Sequence, residues 1–103
     1  KSILAVFEAY RQIVNLFLDV FAMMLKDMGE LVKDDYTNIE KLREKGIIDE
    51  KKEDMMKEAN GLRNRLVHEY NGLERTTAIE SIKVLNEDLG TVLEDIREWL
   101  KKR

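Results

Sequence analysis

One stretch of the chain gathers residue types that can do chemistry: Gly61-Leu62-Arg63-Asn64-Arg65-Leu66-Val67-His68-Glu69-Tyr70. From Arg63 to Tyr70 it holds two arginines, an asparagine, the one histidine of the chain and a tyrosine within eight residues. An arginine can grip a phosphate through a planar fork of donors, and it stays charged at neutral pH. A histidine exchanges a proton near neutrality. Together these are the minimal parts for acid–base chemistry on a phosphodiester. Gly61 adds to the signal, because a glycine inside a helix costs about 1 kcal/mol relative to alanine and permits close approach of another backbone or a ligand. The same residues also have a plain structural reading. A histidine near a helix end is commonly a hydrogen-bonded cap or surface residue, Arg63 and Arg65 can pair with neighbouring glutamates, and Tyr70 can simply pack. Residue types alone leave both readings open.

Composition narrows the field. The 103 residues carry 18 Lys plus Arg against 21 Asp plus Glu, a net charge of −3, which excludes a generic nucleic-acid binder held by overall positive charge but not a local basic site. Cysteine is absent, so disulfides and thiolate metal sites are excluded. With a single histidine, one chain cannot build a multi-histidine zinc site, and no metal or cofactor is expected. Proline is absent as well, which favours uninterrupted helix. No apolar run reaches the roughly 18 residues of a membrane span, and no secretory signal is visible. A cytoplasmic helical protein, one domain over residues 1–103, is the expectation, and Lys1 in place of a methionine leaves room for an upstream segment.

The elements that must position these residues read as helices. Ile3, Val6, Phe7, Tyr10, Ile13, Val14, Phe17, Phe21, Met24, Leu25 and Met28 recur in steps of three and four and trace one helix face, with Gly29 as its stop. Leu16, Leu18 and Val20 widen that face and predict burial on more than one side. A connector over 30–37, with Lys33-Asp34-Asp35 at its middle, leads to a short helix from Asn38 to Lys45 that ends at Gly46. Ile47 and Ile48 form an apolar plug, and Asp49 is the N-cap of a third helix. That helix turns Met55 or Met56, Ala59, Leu62, Leu66 and Val67 inward and stops at Gly72. Thr77 and Glu80 have the spacing of a capping box at the head of a last helix, whose apolar series is Ile79, Ile82, Leu85, Leu89, Val92, Leu93, Ile96 and Leu100. The five methionines read as core or interface filler, Glu53 with Lys57 as a solvated pair, and Trp99 as a hydrophobic lid. The expected fold is all-α: an antiparallel up-and-down bundle of three long helices and one short one.

Arg63, four residues, His68, one residue and Tyr70 resemble the R-x(4)-H-x-Y signature of the HEPN superfamily, specifically its HepT branch. The resemblance runs on through Tyr36 to Leu42, Gly46-Ile47-Ile48, Gly61 to Tyr70 and the last helix, and so covers most of the chain. HepT proteins usually carry a further helix ahead of the segment matched here. The resemblance implies a metal-independent endoribonuclease that acts as the toxin of a toxin–antitoxin pair. It implies a homodimer whose two motifs face one cleft, RNA as substrate, and a small MntA-like nucleotidyltransferase as antitoxin. Carried onto this chain, Arg63 and His68 are the catalytic pair and Asn64 follows the motif arginine. Tyr70 is the tyrosine on which the partner places AMP. Beside them, Arg65 is expected to support substrate binding.

Metal-free RNA cleavage uses the ribose 2′-hydroxyl as nucleophile, so it needs a proton acceptor, a charge stabiliser at phosphorus and a proton donor. Arg63 suits the second role and His68 the first or third, while Asn64 lies one turn before His68 and can orient it. On a straight helix, positions 63 and 68 are about 140° apart and positions 63 and 70 nearly in line. Either the helix distorts near His68, or two chains share the site. A non-catalytic module that docks a nucleotidyltransferase, and a plain homodimeric bundle, are the alternatives.

Overall fold

The computed structural model describes residues 3–68 and 75–103 and, of Val67, His68 and Arg75, the backbone alone. Among the described residues there are four helices and no strand: α1 (Ile3–Asp27), α2 (Asp35–Glu44), α3 (Glu50–His68) and α4 (Arg75–Lys101). This is the expected all-α bundle, with three long helices and one short one.

The apolar spacing of α1 is realised directly. Phe7, Tyr10, Val14, Leu18, Phe21, Met24 and Leu25 are buried, and at about 1.5 Å per residue the helix runs nearly the full 41 Å of the molecule's long axis. The widening residues behave differently. Leu18 is buried and Val20 partly so, but Leu16 is exposed, and Val6 and Ile13 of the predicted face itself are exposed as well. Burial on more than one side is therefore not achieved within the described residues of one chain. Of the methionines, Met24 and Met56 are buried, Met28 and Met55 pack partly on the core, and Met23 is exposed.

Two glycines close two helices in the same way. Gly29 (φ +79°) and Gly46 (φ +77°) adopt the left-handed conformation, which glycine reaches without a Cβ penalty. At α1, Glu30 N–H donates to Leu25 O and Gly29 N–H to Lys26 O. At α2, Ile47 N–H donates to Leu42 O and Gly46 N–H to Arg43 O. Both patterns return otherwise orphaned carbonyls to hydrogen-bond partners.

Two expected starts move. The second helix begins at Asp35, not Asn38. Asn38 is buried one turn inside it and reaches back, accepting from Lys33 N–H at 2.9 Å and donating to Lys33 O at 3.0 Å. The connector is shorter for that reason, and its aspartates split: Asp34 precedes α2 and Asp35 opens it. The capping box at Thr77 and Glu80 is not the start of α4 either. The helix is already formed at Arg75, so Thr77 stands within its first turn. The Gly72 stop lies outside the described residues. Asp49 is a cap as expected, its Oδ1 accepting from Lys52 N–H at 2.8 Å.

The core joins Ile39, Leu42 and Ile48 to Met56, Ala59, Leu62 and Leu66 of α3 and to Ala78, Ile82, Leu85, Leu89, Val92 and Ile96 of α4. Leu93 and Leu100 stay exposed, and Trp99 packs partly on the core with Arg103 over its ring at 4.6 Å. Helix α3 packs against each of the other three helices. The segment with the suggestive residues is thus the central helix of the bundle. Among the described residues no helix is long and apolar enough to cross a membrane.

Candidate active site

Arg63 is held from three helices at once. Its Nη1 donates to Asn15 Oδ1 of α1 at 3.0 Å, and its Nη2 donates to Asp35 Oδ2 of α2 at 3.2 Å and to Asn60 Oδ1 of α3 at 2.8 Å. The Nε–H is buried without an acceptor among the described residues. The guanidinium is thus held through its two Nη atoms. Its side chain retains 20% exposure. Arg63 does not pair with a neighbouring glutamate among the described residues; its carboxylate is Asp35, presented by another helix.

Around it, Asn64 is half-buried and Arg65 exposed. Tyr36, next to Asp35, is partly exposed, and a Cβ built on Gly61 would lie 3.6 Å from its hydroxyl. That is ordinary van der Waals contact, so the close neighbour that this glycine admits within the chain is a side chain, and the space would also accept alanine. Beneath α3, Tyr10 is fully buried and donates to Ala59 O at 2.9 Å. Burial pushes its phenol well above the ordinary range, the Glu58 carboxylate adds to the rise, and the Arg65 and Arg63 charges oppose it. Its hydroxyl has no open access to solvent.

Helix α3 is uninterrupted through His68. Positions 63 and 68 therefore stand about 140° apart on regular helix, and α3 shows no break up to His68. Nothing in the described residues places the His68 side chain, and Tyr70 lies outside them.

The N-terminal half of α3 corrects another expectation. Glu53 is not on a solvated face. It is buried, its Oε1 accepting from Arg43 Nε at 3.0 Å while Lys57 Nζ lies 3.3 Å from Oε2. Lys57 also donates to Glu40 at 2.7 Å, and these two carboxylates hold its ammonium above its usual range, Glu40 most strongly. Among the described residues no three His, Asp or Glu side chains converge as a metal-ligand set.

Three residues of the site were missed in the sequence: Asn15, Asp35 and Asn60. Asn60 left a signal, since it stands one turn after Met56 on the inward face where an apolar residue is expected. Asn15 left a weaker one, beside Val14 in the most apolar helix. Asp35 left none, because a charge next to Asp34 reads as solvated connector.

The chain is similar to known proteins over most of its length. Residues 1–96 match the family described as HepT-like, Ribonuclease HepT-like. Two Archaeoglobus fulgidus proteins, each named "Putative RNase", are 40% identical over 85 and 74 residues, covering 82% and 72% of this chain. A Methanocaldococcus jannaschii protein of similar name is 43% identical over 61 residues, covering 59% of this chain and 70% of its own length. The chain spans 64% and 56% of the length of the two Archaeoglobus relatives. No solved structure matches it. With a family match over residues 1–96, the chain belongs to the HepT-like ribonuclease family.

Proposed function

We propose that this chain is a metal-independent endoribonuclease, the toxin of a toxin–antitoxin pair, working as a homodimer. The observation that carries the reading is the Arg63 guanidinium, fixed by Asn15, Asp35 and Asn60 on the central helix that ends at His68. A charge-stabilising group is most effective when it is oriented before the reaction begins. In this reading the ribose 2′-hydroxyl attacks phosphorus and the bond from phosphorus to the 5′ oxygen breaks. Arg63 stabilises the charge gathered on the phosphoryl oxygens, and the His68 side chains of the two chains take the 2′-hydroxyl proton and protonate the leaving 5′ oxygen. Asn64 orients His68 or a phosphoryl oxygen, and exposed Arg65 meets a flanking phosphate. The angular separation of positions 63 and 68 supports a cleft shared between two chains. An MntA-like nucleotidyltransferase would silence the site by placing AMP on Tyr70, adding negative charge near the arginine that RNA must reach.

One observation favours the second reading, a non-catalytic module that docks a nucleotidyltransferase: Arg63 commits three donors within its own fold. Incubating the chain with RNA, with and without EDTA, separates the two. Cleavage that survives EDTA, spares DNA and vanishes in His68→Ala with unchanged circular dichroism supports the ribonuclease. Absence of cleavage with tight nucleotidyltransferase binding supports the module.

A further inference from the structure

An arginine has five N–H donors, and the state of each one here limits how Arg63 can receive a phosphate. Three are committed, on Nη1 to Asn15 and on Nη2 to Asn60 and Asp35. The Nε–H is buried and cannot turn to a ligand. Among the described residues one N–H on Nη1 is left without an acceptor, and a single donor cannot make the two parallel bonds of a bidentate arginine–phosphate contact. One protein acceptor must yield.

Burial, distance and charge decide which. Asn60 is 1% exposed and makes the shortest of the three bonds at 2.8 Å. Asn15 holds the other nitrogen at 3.0 Å from α1. Asp35 makes the longest contact, 3.2 Å, from a side chain 41% exposed at the first position of α2. It is also the one anion of the three, so a phosphate replaces it like for like. Ion pairs this open to water are worth little, and the exchange is correspondingly cheap. Releasing Asp35 frees an Nη2 donor to act with the uncommitted one on Nη1, while Asn15 and Asn60 keep the fork from swinging away.

We propose that Asp35 is a positioning residue: it holds the Arg63 fork as a resident counter-ion and is displaced by a phosphate of the incoming RNA. The inference rests on the RNA-cleaving reading and adds a step to it. Its test uses the full chain, an uncleavable 2′-O-methyl RNA oligomer and fixed ionic strength, with binding followed by fluorescence anisotropy. Asp35→Asn should bind about two- to five-fold tighter than wild type, the affinity equivalent of an exposed ion pair. On cleavable RNA its KM should fall by a similar factor without a rise in kcat. Asp35→Glu should return towards wild type, and Glu87→Gln, which removes the same charge from α4, should not reproduce the gain. A purely structural role for Asp35 predicts weaker binding in Asp35→Asn, and that result, or a match to Glu87→Gln, overturns the exchange while the ribonuclease reading stands. The wild-type chain supplies a second readout that does not depend on the variant folding. Saturation with the oligomer should shift the Asp35 side-chain carboxyl carbon resonance, and an unmoved signal overturns the exchange. If the wild type neither binds nor cleaves RNA, the exchange and the ribonuclease reading fall together.

Discussion

The two ends of α3 handle charge in opposite ways. At the N-terminal end, Glu53 is buried between Arg43 and Lys57, and Lys57 is shared with Glu40, so two anions and two cations close on one another. At the C-terminal end, Arg63 faces one carboxylate, Asp35, and two neutral amides. The Glu53 side chain is 9% exposed and the Asp35 side chain 41%. A buried charge with two partners is costly to uncover, and it serves the fold. A charge with one half-exposed partner can be traded for an incoming anion at small cost. The same helix thus carries a clamp at one end and an exchangeable site at the other.

Substitutions at the two ends should separate these roles. The largest effect is expected at Arg63. Arg63→Lys keeps the charge but loses the planar fork, and RNA cleavage should fall by about 10²–10³-fold at saturating substrate. Circular dichroism and initial rates measured together check this. Activity lost only in proportion to unfolded protein would make Arg63 a clamp like Glu53 and erase the contrast. Glu53→Ala should do the reverse, lowering stability by about 1–2 kcal/mol in urea titration because two cations lose a partner. Its cleavage rate below the unfolding transition should match wild type, and a rate loss there would show that the ends are coupled.

The smallest effect is expected at Tyr10, whose bond to Ala59 O lies at the join between the two ends. Tyr10→Phe should cost about 1 kcal/mol at neutral pH. Its pH dependence sharpens the assignment. The phenol titrates higher in the folded chain than its ordinary value of 10.0, so the folded state binds that proton more tightly. The resulting stability is fully present below pH 10.0 and is lost as the pH rises above it towards the folded value. Denaturant midpoints measured on either side of that pH should show the wild type falling and the phenylalanine variant lacking this part of the fall.

The sequence by itself determined the four helices and the stops at Gly29 and Gly46. The apolar steps of α1 and α4, the left-handed turns at Gly29 and Gly46 and the Asp49 cap rest on interactions within about one helical turn, and short-range pattern is enough to read them. Arg63, Asn64, Arg65, His68 and Tyr70 stood out as candidates by residue type and spacing, which likewise needs only the local pattern. Some local signals misled. Asn38 looked like a helix start but closes a turn against Lys33, Thr77 looked like a cap but stands inside α4, and Glu53 looked solvated but is enclosed by Arg43 of another helix. The tertiary structure alone decided what holds Arg63. Its contacts with Asn15 and Asp35 span 48 and 28 residues of chain. Hydrogen bonds of that range form only after three helices have packed, and no periodicity along one helix encodes the partner presented by another.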